Sequence, residues 1–128
     1  MQYYFNKTTN YSFDEAIEKV TEELQKEGFG VLTEIDVTAT LKKKLGVDFK
    51  KYRILGACNP PYALKALSAE DKIGTMLPCN VIVQQISESQ VEIAAINPMA
   101  SMQAVENSDL EEVAFEITRK LDKVICNL

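Results

Sequence analysis

Apolar and polar positions along the chain switch repeatedly between a period of two and a period near 3.6. Residues 2–7 carry Tyr3, Tyr4 and Phe5 together and predict a strand. Ser12-Phe13-Asp14-Glu15 has the spacing of a capping box, and Phe13, Ala16, Ile17, Val20 and Leu24 then recur at helical spacing. Gly28 supplies a left-handed stop. A strand is predicted over 31–35, a short helix over 38–45 ended by Gly46, and a strand over 51–57. Asn59-Pro60-Pro61 opens a short helix running to Leu67, with asparagine as the cap and proline tolerated in the first turn. Residues 77–86 and 91–96 read as the arms of a hairpin around Ser87-Glu88-Ser89, with Asn80 interrupting an apolar run. Asn97-Pro98 repeats the asparagine–proline signal and predicts a single turn reaching Met102. Ser108-Asp109-Leu110-Glu111 is a second capping-box pattern, and Leu110, Val113, Ala114, Ile117, Leu121 and Val124 mark the last helix.

The prediction is an α+β fold in two layers. A largely antiparallel five-stranded sheet carries two long amphipathic helices on one face, with short helical inserts between strands. The other face is then solvated, covered by the inserts, or buried against a second copy. No repeat, linker or low-complexity segment divides the chain, so residues 1–128 are expected to form one domain. Hairpin register stays open, because a two-residue and a three-residue loop set Cys79 against different neighbours.

Composition narrows the chemistry. The 128 residues include 14 basic and 19 acidic side chains, a formal charge of −5, three cysteines and no histidine. Without histidine there is no Ser-His-Asp or Cys-His pair, no His-ligated zinc and no imidazole switch. The acidic balance argues against a nucleic-acid partner. Lys42-Lys43-Lys44, with Lys50, Lys51 and Arg53 beyond, reads as a solvated helix end or a small anion-facing patch. Residues 1–7 lack the basic and apolar regions of a signal peptide, and no apolar run approaches a membrane span. Cys58, Cys79 and Cys126 are widely spaced, without a Cys-x-x-Cys, which suits reduced thiols in a cytoplasmic protein.

Three segments could carry chemistry. In Gly56-Ala57-Cys58-Asn59-Pro60-Pro61 a strand delivers a thiol to a helix start, where the dipole favours the thiolate. Gly56 leaves room beside the strand end. The competing reading makes Cys58 a small buried hydrophobe. In Leu77-Pro78-Cys79-Asn80 a proline suits a strand start, and Asn80 either seeks a polar partner in the interior or faces water. In Ile96-Asn97-Pro98 the layout of the first segment returns, so two helix starts open at one end of the sheet if both strands run the same way. Cys58, Cys79, Met76, Met99 and Met102 form an inventory of soft ligands, with Cys58 and Cys79 the candidates for a metal such as Cu(I).

Tyr52-Arg53-Ile54-Leu55-Gly56-Ala57-Cys58-Asn59-Pro60, followed by Leu77-Pro78-Cys79-Asn80-Val81, resembles the family called domain of unknown function 302 over nearly the whole chain. The resemblance implies a β-α-β4-α core similar to the TATA-binding-protein-like class, without implying DNA binding. It places the signature on Gly56, Cys58, Asn59, Pro60, Pro78, Cys79 and Asn80. Asn97 stands where an aspartate is frequent in that family, which leaves a carboxylate role there without its residue. The resemblance brings no established activity, and any cofactor stays unknown.

The expectation is a binding module for a small anion or soft metal ion, in a thiol-lined pocket at the strand ends that includes Cys58, Asn59, Cys79 and Asn80. Two alternatives stand beside it. One is a thiol redox protein in which Cys58 attacks and Cys79 resolves. It lacks an acid–base partner, since Lys65 and Arg53 could supply only charge, so the reading leans away from an enzyme. The other is a homodimer through the open sheet face, with structural cysteines. No membrane partner is expected.

Overall fold

Ser12 and Glu15 form the predicted capping box, each side chain bonding the other's backbone N–H. The computed structural model describes residues 1–128. Strand β1 is Tyr4–Thr9, and helix α1 (Phe13–Lys26) follows. Gly28, at φ 88°, turns the chain into β2 (Gly30–Asp36), a conformation that glycine adopts without steric cost. Helix α2 (Val37–Leu45) starts on the side chain of Asp36, which accepts from the Ala39 N–H, and ends at a left-handed Gly46. It buries none of its residues. Then come β3 (Tyr52–Cys58), α3 (Pro60–Ala69), a 3-10 turn (Asp71–Met76), β4 (Cys79–Ser87) and β5 (Gln90–Ile96). One turn of helix, α4 (Pro98–Ser101), and the long α5 (Glu111–Cys126) close the chain.

The strands form one sheet in the order β1-β5-β4-β3-β2, every neighbouring pair antiparallel. This is an α+β fold. Ser87 opposes Gln90, so the hairpin loop is the two residues Glu88 and Ser89. That register sets Cys79 opposite Ala57 and Asn80 opposite Gly56.

Alternation along the strands sorts the two faces. Leu55, Ala57, Val81, Val83, Val91, Ile93 and Ala95 point at the helices and join one core with Phe13, Ala16, Val20 and Leu24 of α1 and Ile117, Leu121 and Val124 of α5. Truncating Leu24, fully buried there, to alanine would cost roughly 2–5 kcal/mol. The opposite face carries Tyr4, Tyr52, Ile54, Ile82, Ala94 and Ile96, and no helix covers it.

Two local predictions are corrected. Asn59 makes no side-chain cap on α3, because its amide is committed elsewhere. The pattern at Ser108 is not a capping box either. Asn107 caps a 3-10 turn over Ser108–Leu110 through its contact with the Asp109 N–H, and α5 starts one turn later without a side-chain cap. No helix is long and apolar enough to cross a membrane.

Candidate functional site

Antiparallel pairing on both sides of β4 makes β3 and β5 run the same way, so α3 and α4 start at the same end of the sheet. A pocket of about 330 Å³ opens at that end, between α3, α5 and the junction of β3 and β4. Cys58, Asn59, Pro78 and Cys79 all line it. Tyr62 and Ala66 of α3, Met102 after α4 and Ile117 of α5 complete the inner wall. Not one charged side chain lines it.

Each signature residue has a definite place. Cys79, at 9% exposure, points to the helix side, and Cys58 at the end of the next strand is partly exposed. Burial pushes the Cys79 thiol up from its usual value of 9.0 to about 11, with a smaller upward push from Cys58, whose charge is near enough to be felt. A thiol held protonated this way is a weak nucleophile at neutral pH. Asn59 is buried, and its Nδ2 donates to the Glu27 carbonyl at 3.0 Å, tying the end of α1 to the start of α3. Gly56 lies beneath Thr33 and Pro78: a Cβ there would stand 2.1 Å from Thr33 Oγ1 and 2.8 Å from Pro78 Cγ. Glycine is required at this position by that close approach. A bulge between Val31 and Thr33 frees Leu32 from pairing and leaves it 69% exposed at the pocket rim.

Other signature residues stand apart from the pocket. Asn80 is exposed on the opposite face of β4 and lines a separate groove. Pro60 is exposed. Asn97 is buried and structural: Nδ2 donates to the Gln2 carbonyl at 3.0 Å, and Oδ1 accepts from the Met99 N–H at 3.1 Å. The expected pocket around Cys58, Asn59, Cys79 and Asn80 therefore keeps three members and loses the fourth.

The two helix starts offer an anion little. Pro60 and Pro61 have no N–H to donate, and the Ala63 N–H already bonds the Asn59 carbonyl. At α4, Pro98 has none, while the Met99 and Ala100 N–H groups bond Asn97. No group of three or more Cys, Asp or Glu side chains is placed to hold a metal ion. Three sulfurs do border the same pocket: Cys58, Cys79 and Met102.

Met102 came from the sequence only as one of five soft ligands, and Tyr62, Ala66 and Leu32 were not singled out as pocket residues. The spacing of Tyr62 and Ala66, one helical turn apart, is the signal that would have found the α3 wall. Leu32 left none, because a bulge is invisible to alternation.

A family model for "Domain of unknown function DUF302" matches residues 5–128. The chain belongs to the DUF302 family. The chain is also similar to a crystal structure of an uncharacterized conserved DUF302 protein from Bacillus stearothermophilus, at 30% identity and a TM-score of 0.90, covering 98% of each chain. No curated protein matches. Membership in DUF302 carries no activity with it.

Proposed function

We propose that this DUF302 domain binds a small, uncharged, largely apolar molecule in the pocket at the strand ends, seated against Cys58 and Cys79. The observation that carries this reading is the lining: apolar side chains and thiols, with no charge among them. A volume of about 330 Å³ lies in the range of small-molecule sites, roughly 300–1,000 Å³. Exposed Leu32 and Leu67 at the rim give an apolar ligand a matching entrance. The protonated Cys79 supports binding over thiol redox chemistry. The small-anion reading keeps the Tyr62 N–H as a donor at α3, in a pocket with no positive charge.

A soft metal ion is the second reading, favoured by the three sulfurs on one wall. Cys58 and Cys79 would bind as thiolates after losing protons, with Met102 as a neutral third ligand.

N-phenyl-1-naphthylamine, a neutral apolar dye, tests the first reading by fluorescence. Saturable, blue-shifted uptake is expected, and Leu32→Glu should weaken it while keeping the fold, since Leu32 is exposed at the rim. Absence of saturable uptake by the native protein rejects the apolar-ligand reading. Titration with Ag(I), a stand-in for Cu(I), tests the second: a one-to-one rise in melting temperature, lost in Cys58→Ser, is required.

A further inference from the structure

The open face of the sheet holds a second concavity, unrelated to the thiols. This groove has a volume of about 430 Å³. Ile82 and Ala94 line it on the adjacent strands β4 and β5, where they pair directly across the ladder. Tyr4 and Tyr3 stand at one side, packed edge to face with ring centroids 4.9 Å apart. Tyr52 stands on β3 at the other side.

One ionisable carboxylate enters this groove, that of Glu92. Both of its oxygens are held by neutral amides: Asn6 Nδ2 donates to Oε2 at 2.9 Å and Gln84 Nε2 donates to Oε1 at 2.6 Å. The amides fix the carboxylate without neutralising it. Glu92 takes part in none of the ion pairs of the molecule. No lysine or arginine lines the groove. Tyr3, Tyr52 and Glu92 line the same groove, and burial first, then the charges of Glu92 and Tyr3, raise the Tyr52 hydroxyl above its usual pKa.

We infer that this groove binds a small organic cation, an alkylated ammonium group set among Tyr3, Tyr4 and Tyr52 and neutralised by Glu92. The electron-rich faces of aromatic rings attract such cations, most strongly where water is excluded. The apolar floor fits alkyl substituents. A calcium site of the usual kind does not fit, since it draws on several protein oxygens with more than one carboxylate among them, and the groove offers one. A phosphate or a nucleic acid would meet the Glu92 charge.

Choline chloride is the probe, titrated against sodium chloride at matched ionic strength and followed by NMR shifts and melting temperature. Its neutral isostere, 3,3-dimethyl-1-butanol, is the control. Choline is expected to bind saturably and the alcohol much more weakly. Glu92→Gln should weaken choline binding about tenfold or more. Tyr52→Leu should weaken it about threefold to tenfold, whereas Tyr52→Phe retains it, because the ring face and not the hydroxyl makes the contact. Equal binding of the alcohol, or no saturable binding of choline, overturns the inference. So does a dimer in sedimentation that Ile82→Glu converts to monomer, since a second copy would then own the groove. Should Glu92→Gln fail to fold, the choline–alcohol pair on the native protein and Tyr52→Leu decide the matter alone.

Discussion

Cys79 and Asn80 are joined by a peptide bond and belong to different sites. Cys79 faces the helices, lines an apolar pocket without charge and is held protonated by burial. Asn80 faces outward and lines a groove of tyrosines with an unpaired carboxylate. The alternation of a strand, period two, is enough to give one sheet two environments of opposite preference. One suits a neutral apolar guest, the other a cation. The difference teaches that a sequence motif spanning Pro78, Cys79 and Asn80 need not describe a single site.

The most severe break in this comparison is expected at Gly56, which sits where the faces meet. Gly56→Ala would drive a Cβ into Thr33 and Pro78, and overpacking of this kind costs roughly 1–3 kcal/mol. A clear fall in melting temperature is expected, together with loss of dye uptake, since Pro78 lines the pocket. Adding Thr33→Ala should recover part of the stability. An unchanged melting curve for Gly56→Ala would mean that the two faces are not tied at this point.

Of comparable size is a pH effect confined to the thiol side. Unfolded, the Cys79 thiol ionises near 9.0; folded, it holds its proton to about 11. Between those values the unfolded state binds fewer protons, so stability falls as pH rises and levels off above about 11. The full loss is on the order of 2–3 kcal/mol. Urea titrations of native protein and Cys79→Ala at pH 8 and pH 11 isolate the effect, because the other alkaline groups are common to both. A parallel fall in the two proteins would contradict a buried, protonated Cys79.

Asn59→Ala should cost about 1–2 kcal/mol, because it leaves the Glu27 carbonyl without its amide partner where α1 meets α3. Choline binding should be untouched, since Asn59 does not reach the groove. Chemical denaturation and the NMR titration together read both outcomes. The smallest effect belongs to Asn80→Ala, within about 0.5 kcal/mol, as an exposed strand residue without a bonded side chain. Equal losses from Asn59→Ala and Asn80→Ala would erase the distinction between the faces.

Much of the fold was legible in the sequence because its signals are local. The capping box at Ser12, the left-handed stops at Gly28 and Gly46, and the stripes of α1 and α5 each depend on neighbours within one or two turns. Asn59 shows where locality fails. Its neighbours Pro60 and Pro61 spell a helix start, yet its amide bonds Glu27, remote in sequence. Ser108 fails for a related reason, since Asn107 competes for the same first turn. Within the site, the nearness of Cys58 to Cys79 and the faces of Cys79 and Asn80 all waited on strand register. The groove needed Tyr3, Tyr52 and Glu92 brought together from three separate segments. No spacing along the chain could announce that.

The pairing of β1 with β5 sets Tyr4 against Ile96 and Thr9 against Val91. An emerging polypeptide exposes its tyrosine-rich first strand to solvent long before its only ladder partner has been synthesised. Pairing across so much intervening chain is intrinsically slow. During translation, that first strand is an unpaired apolar edge in search of a complement. Helix α1, which follows it with its own capping box, can form locally in the meantime. The sheet edge that must wait longest for its partner is thus encoded upstream of every other strand.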